Sequence, residues 1–277
     1  MPSSLFAPKD VQYVDVFELM PLYEGLSFRA PTVAVGPKGI GKTLSFQSFA
    51  YANNCPIITY DCSEDVRRSH LIGMQVLRGD QTPFILGPLT TVFEVANEVG
   101  KCILCMEEIN ALTPQMQKVL NAATDWRARI EVPELQKVFT LEKGAKVWIV
   151  GTMNSAVYGG VHQLNEDLKS RLRLIALNYP KTKDEEAIIE ATLKGISKKL
   201  PPKTVERVLL LAHETRQKAL EYALSTRDVV QILDDMAILG IPNACRIVLG
   251  KFEGADRDTV EERLGSLFGT AAKKKSA

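Results

Sequence analysis

Gly36-Pro37-Lys38-Gly39-Ile40-Gly41-Lys42-Thr43 is the stretch that decides the fold. It satisfies the phosphate-loop pattern G-x-x-x-x-G-K-[ST], with an apolar run before it and a helical stretch after it. Glycine lets the backbone bend around a phosphate and turn its N–H groups inward. The helix that follows aims its positive end at the same anion. Lys42 is therefore expected at the β- and γ-phosphates of a nucleoside triphosphate, and Thr43 at Mg²⁺. The expected nucleotide-contacting set is Gly36, Pro37, Gly39, Ile40, Gly41, Lys42, Thr43 and Leu44, with ATP as the nucleotide. No Asn-Lys-x-Asp guanine-reading pattern occurs.

The run before the loop, Thr32–Val35, is the first of five short apolar runs rich in β-branched residues. The others cover 56–60, 102–106, 146–150 and 172–177. Stretches with helical apolar spacing lie between most of them, at 44–52, 89–99 and 114–126. Continuous apolar strands alternating with helices predict an α/β fold whose parallel sheet is buried on both faces. Two segments break the alternation. Residues 71–87 hold Gly73, Gly79, Asp80, Pro83 and Gly87 among apolar residues, and 128–145 alternate apolar and polar. Both read as inserted hairpins.

After Pro180 the pattern turns helical, at 183–195, 202–222, 226–240 and 256–268, with a less regular stretch at 241–254. Ser225 or Thr226 caps the third of these, with Asp228 near its positive end. The expected organisation is a lead-in (1–30) with one short helix, an α/β core (31–180), a helical lid (181–268) and a tail (269–277). The tail carries the lysines 273–275.

Beyond the loop, four places carry chemistry. The run 102–106 ends in Glu107-Glu108, where a phosphate-loop protein keeps one acid for the metal and one for water. Glu107 is expected to support Mg²⁺ through a bound water, and Glu108 to polarise the attacking water. Asn154 follows the run 146–150 through Gly151-Thr152-Met153, and its amide can hold that water near the γ-phosphate. Arg171 ends a helical stretch. It reads either as a helix-terminal charge or as an arginine finger reaching a neighbouring subunit's nucleotide. Arg227 opens a lid helix and reads either as a surface residue or as a phosphate contact in its own subunit.

Composition bounds the rest. The 277 residues carry a net charge of +1, which gives no global reason to bind nucleic acid. Five scattered cysteines fit a reducing cytosol better than a disulfide framework. Cys102 and Cys105 have zinc-like spacing, but they lie inside an apolar strand and no second pair accompanies them. The three histidines show no metal spacing. No signal-peptide pattern follows Met1, and no apolar run approaches the roughly 20 residues of a membrane span. A cytoplasmic protein is expected.

The order of these motifs resembles the AAA+ superfamily over about residues 31–250, and within it the MoxR-type group, with CbbQ, NorQ and GvpN, and more distantly McrB-like and dynein-related modules. The phrases that carry the resemblance are Gly87-Pro88-Leu89, Glu107-Glu108-Ile109-Asn110-Ala111, Gly151-Thr152-Met153-Asn154, Tyr158-Gly159-Gly160, Leu164-Asn165-Glu166-Asp167-Leu168-Lys169-Ser170-Arg171-Leu172 and Ser225-Thr226-Arg227. The resemblance implies a five-stranded sheet of order 5-1-4-3-2, two hairpin inserts and a helical lid. It implies a ring, usually a hexamer, with ATP between subunits. It makes Asn154 a sensor-1 residue, Arg171 the finger with Arg173 as alternative, and Arg227 a sensor-2 residue. It places the adenine pocket partly in the segment before Pro31, with Val14 and Val16 as candidates. This chain departs from the pattern at Glu107, where Asp is usual, and at Leu172, where many relatives have Phe.

The function so implied is an ATPase that remodels or activates a protein partner, often one with a von Willebrand factor A-type domain, which another chain would have to supply. Two other readings stay open. A nucleic-acid motor or packaging ATPase would use Arg67, Arg68, Arg78, Arg127, Arg129 and Lys137 near the inserts, partly offset by Glu131, Glu134 and Glu142. A nucleotide-gated scaffold with weak hydrolysis would exploit Glu107.

Overall fold

Strands that are apolar at nearly every position must be covered on both faces, and helices on either side of one parallel sheet supply that cover. The computed structural model describes residues 3–125, 128–154, 162–218 and 220–269. Tyr158, Gly159, Gly160, Trp126, Arg127 and the lysine tail lie outside the described residues. The chain divides into two compact units, Met1–Pro37 with Gly41–Leu177, and Lys38–Ile40 with Asn178–Ala277.

Along the first unit run α1 (Leu19–Leu26), β1 (Thr32–Val35), α2 (Lys42–Ala52), β2 (Ile57–Asp61), α3 (Arg68–Ile72), β3 (Gly73–Gln75), β4 (Phe84–Leu86), α4 (Pro88–Val99), β5 (Lys101–Glu107), α5 (Pro114–Thr124), β6 (Arg129–Val132), β7 (Lys137–Thr140), β8 (Lys146–Met153), α6 (Glu166–Arg171) and β9 (Arg173–Ala176). Five strands pair in the order β2-β5-β8-β1-β9, all parallel. Read from β9, that is the fifth, first, fourth, third and second strand of the sheet, the order the family resemblance implied. Thr32 stands opposite Val150 of β8 and Arg173 of β9. At the centre, Ile103 to Met106 of β5 are fully buried, Cys105 among them.

Both inserts are antiparallel hairpins, β3 with β4 and β6 with β7. The first also contains a helical turn, α3, ahead of its strands. The second packs one face inward, with Ile130, Val132 and Phe139 buried. Its far strand is fastened to α4, where Asn97 donates to the Thr140 carbonyl (3.0 Å) and accepts from the Glu142 N–H (2.9 Å).

The residues before Pro31 are part of this core. Asp15 accepts from the N–H groups of Leu19 and Met20, both at 2.8 Å, and so caps α1. Tyr23 of α1 is fully buried, stacks on Phe46 (ring centroids 4.7 Å apart) and meets Phe49 and Trp148 edge-on. Trp148 donates its indole N–H to the Ala30 carbonyl at 2.9 Å. Aromatic pairs of this kind each add about 0.5–1.5 kcal/mol beyond the area they bury.

The second unit is helical: α7 (Thr182–Thr192), α8 (Ile196–Lys199), α9 (Thr204–Gln217), α10 (Thr226–Leu239), α11 (Ile241–Leu249) and α12 (Gly254–Phe268). It has its own core, centred on Val208, Leu211, Leu224, Val229 and Leu233. Apolar spacing carried the second lid helix to residue 222, but α9 stops at Gln217. Side chains of its last turn explain the early end. Thr215 accepts the Leu224 N–H (3.1 Å) and Arg216 donates to the Leu224 carbonyl (2.7 Å), which holds the chain in a loop. Arg216 also grips Glu185 through two hydrogen bonds, at 2.7 and 3.0 Å.

Ser225 caps α10 in a reciprocal box with Asp228. The Asp228 N–H donates to the serine hydroxyl oxygen at 3.2 Å, and the Ser225 N–H donates to the Asp228 carboxylate at 2.8 Å. Lys251 pairs with the same carboxylate. Burial pushes the Asp228 carboxyl up, but the bonds from Lys251 and Ser225 outweigh it and hold the group below its ordinary value. A carboxylate with a depressed folded value stabilises the fold above its unfolded value and loses that contribution as pH falls. Asp228→Asn is therefore expected to cost stability at pH 7, with the deficit shrinking below about pH 4. Denaturant titrations at pH 7 and pH 3 check this, and a deficit equal at both would refute it.

Candidate active site

Strand order decides which loops meet. Because β1 lies beside β8, and β8 beside β5, their carboxyl ends deliver the phosphate loop, Asn154 and Glu107-Glu108 to one edge of the sheet. Gly36 opens the loop with its N–H donated to the Met153 carbonyl (3.1 Å). A Cβ there would stand 2.5 Å from the Leu177 carbonyl oxygen, so no other residue fits. Gly41 sits at φ 94°, the left-handed region that admits glycine without strain.

Lys42 is nearly enclosed. Its ammonium donates to the carbonyls of Gly36 (2.9 Å) and Pro37 (2.6 Å) and to Oδ1 of Asn154 (3.1 Å). Asn154, also buried, donates through Nδ2 to Oε1 of Glu108 at 3.0 Å. The amide can face only one way, because an ammonium cannot accept and a carboxylate cannot donate. Lys42, Asn154 and Glu108 are thus joined in one line from the loop to the exposed acid.

Glu108 itself is held at φ 50°, ψ 47°. That left-handed conformation costs a non-glycine residue about 1–2 kcal/mol. Its N–H donates to Oγ1 of buried Thr152 (3.2 Å), which fixes the turn. The amide of Asn110, another buried residue, reaches the Asn154 carbonyl at 3.4 Å.

Thr43 Oγ1 donates to Oε2 of Glu107 at 2.9 Å. The threonine hydroxyl and the Glu107 carboxylate thus meet beside the phosphate loop, where Thr43, and Glu107 through a bound water, would hold a divalent cation.

The structure thus brings together Lys42, Thr43, Glu107, Glu108 and Asn154. Arg171 ends α6 and has another partner, Asp125, at 3.6 Å. Arg173 is exposed at the start of β9. In the second unit, Arg227 is exposed in the first turn of α10, and its N–H donates to the Gly39 carbonyl at 3.1 Å.

Val14 and Val16 are half-buried, and Val16 donates its N–H to the Val14 carbonyl (2.9 Å). Between the phosphate loop and the lead-in, sequence reasoning missed Tyr13. Its ring lies 3.6 Å from where a Gly41 Cβ would stand, and its hydroxyl donates to Asp15 at 3.2 Å. Burial, and then the Asp15 charge, push that phenol well above its ordinary value. An aspartate able to cap α1 was the available signal, since it pins the tyrosine two residues earlier. Thr152 and Asn110 lie inside recognisable motifs, but their hydrogen bonds to Glu108 and Asn154 depend on strands that meet only in the fold.

Residues 31–172 match the AAA domain (dynein-related subfamily). Among curated relatives, protein CbbQ of Hydrogenophilus thermoluteolus is 27% identical over 202 residues, covering 73% of this chain and 72% of its own. The denitrification regulatory protein NirQ of Pseudomonas aeruginosa is 24% identical over 233 residues, covering 83% and 85%. Among solved structures, NtrX of Brucella abortus in complex with ADP superposes with a TM-score of 0.56 at 18% identity. That match covers 83% of this chain and about half, 51%, of the NtrX chain, and it bears on fold alone.

Gly36→Ala is expected to cost on the order of 1–3 kcal/mol, because backbone blocks the added methyl. Gly25→Ala, in α1 with nothing within 4 Å, is expected to gain about 0.5–1 kcal/mol. Chemical denaturation of the two variants reads the opposite signs directly.

Proposed function

We propose that this chain, which belongs to the dynein-related subfamily of AAA domains, hydrolyses ATP at a site completed by a neighbouring subunit and uses the cycle to remodel or activate a protein partner. The single observation that carries this reading is the line Lys42–Asn154–Glu108, with the Thr43–Glu107 pair beside it. Lys42 exchanges its loop carbonyls for the β- and γ-phosphates. The N–H groups of the loop and the start of α2 hold the remaining phosphate oxygens. Glu108 accepts a hydrogen bond from the attacking water and aligns it, while Asn154 fixes the carboxylate. Thr43, and Glu107 through a bound water, would hold Mg²⁺, which would neutralise charge on the phosphates.

Arg171 of the adjacent subunit meets the γ-phosphate, as the family resemblance implies, and Arg227 contributes from the lid. The assembly is a ring, hexameric in the usual pattern. The base sits against the lead-in near Tyr13 and Val14. A partner of von Willebrand factor A type is the client this reading favours.

The nucleic-acid reading loses ground because three of the six cations it would use are paired with carboxylates. Arg68 pairs with Glu134 (3.0 Å), Arg129 with Glu131 (3.1 Å) and Lys137 with Glu94 (3.2 Å). A groove that tracks phosphates needs such groups unpaired.

Glu108→Gln should bind ATP within a few-fold of wild type and lose on the order of 10²–10⁴-fold in turnover. Equilibrium binding and steady-state phosphate release check both halves. Turnover at the wild-type rate would sink the assignment, and a wild type that binds but never hydrolyses when assembled would favour the scaffold.

A further inference from the structure

Asp125 stands where helix electrostatics disfavour it. It is the C-cap of α5 (φ −73°, ψ 156°), beside the carbonyls that make a helix end negative. Its side chain is only 13% exposed, and Nη1 of Arg171 lies 3.6 Å from its Oδ2.

The same two helices are fastened at their other ends. Gln117 of α5, fully buried, accepts the Asn165 N–H (2.8 Å) just ahead of α6. Its amide nitrogen donates to the carbonyls of Leu112 (3.0 Å) and Gln163 (3.3 Å). Asn165 Nδ2 donates in turn to the Pro114 carbonyl at 2.9 Å. Leu112 closes the turn that Glu107 and Glu108 begin. The start of α6 is thus tied to the catalytic turn, and its end, Arg171, is tied to Asp125. Arg171 keeps 36% of its side chain exposed, and its Nε is buried with no hydrogen-bond partner among the described residues. A fork of five donors held at one corner is aimed without being consumed.

We infer that Asp125 is a positioning residue for Arg171. Its carboxylate sets the direction in which the guanidinium meets the neighbouring subunit's nucleotide. Through α5 it registers that direction to the chain's own Glu107–Glu108 turn. The inference rests on the trans role of Arg171 proposed above.

Subunit mixing tests both and separates them. Asp125→Asn alone is expected to lower kcat on the order of ten- to a hundredfold, the loss a small misplacement of a reacting group brings. KM for ATP should move less than about threefold. Asp125→Glu, which keeps the charge, should recover part of kcat. Mixing Asp125→Asn subunits with Glu108→Gln subunits, each nearly inactive, should restore turnover, because the second kind lends an intact Asp125–Arg171 pair to the first. Recovery for Arg171→Ala mixed with Glu108→Gln, but none for Asp125→Asn so mixed, would overturn the positioning role alone. Recovery in neither mixture would overturn the trans arginine as well. Wild-type turnover by Asp125→Asn subunits would overturn the positioning role outright.

Discussion

The hydrogen bond from Lys42 to the Asn154 amide joins residues 112 positions apart, and it exists because two parallel strands lie side by side. Were β1 and β8 separated by another strand, the phosphate loop and the Asn154 amide would open on different parts of the sheet edge. The order β2-β5-β8-β1-β9 is thus the constraint from which the site follows. It also places β5 next to β8, so Asn154 finds Lys42 on one side and Glu108 on the other. One amide, whose orientation is forced by its two neighbours, links Lys42 of the phosphate loop to Glu108 beyond β5.

That arrangement needs rigidity in places that look incidental. Glu108 keeps its left-handed backbone because Thr152 holds its N–H and the Asn154 amide holds its carboxylate. Behind the turn, Cys62 donates its N–H to the Glu107 carbonyl at 2.9 Å. Burial pushes the Cys62 thiol up to about 12, with Asp61, Glu107 and Glu108 adding to the shift, so it stays a neutral packing group beside three carboxylates. The lead-in contributes as well, since Asp15 both caps α1 and anchors Tyr13 against the loop.

Much of this was legible in the chain because it depends on local pattern. Phosphate loops need glycines and a lysine at fixed spacing, and buried strands need continuous apolar runs. Both survive any tertiary context. The sheet order came only with the family resemblance, since no single strand's composition names its neighbours. What stayed hidden depends on long-range satisfaction of polar groups. Apolar spacing carried α9 to residue 222, yet Thr215 and Arg216 hold Leu224 and end the helix at Gln217. Val14 and Val16 drew attention by composition, whereas Tyr13 reaches the loop through a hydrogen bond to Asp15 that only the fold makes plain. Asp125 passed unnoticed because Arg171, with which it pairs, lies 46 positions later.

The aromatic seat of the lead-in has a consequence for the order in which the chain can be built. Trp148 meets the Ala30 carbonyl across a separation of 118 residues, and β1 gains its partners β8 and β9 only after most of the first unit exists. The pair β2–β5 has its contacts available far earlier. Closing the longer loops costs entropy that must be met before their contacts form. On a ribosome, then, the phosphate loop is among the first functional segments made and among the last to be shaped. The nascent chain cannot hold nucleotide in a finished site until β9 has emerged to complete the sheet.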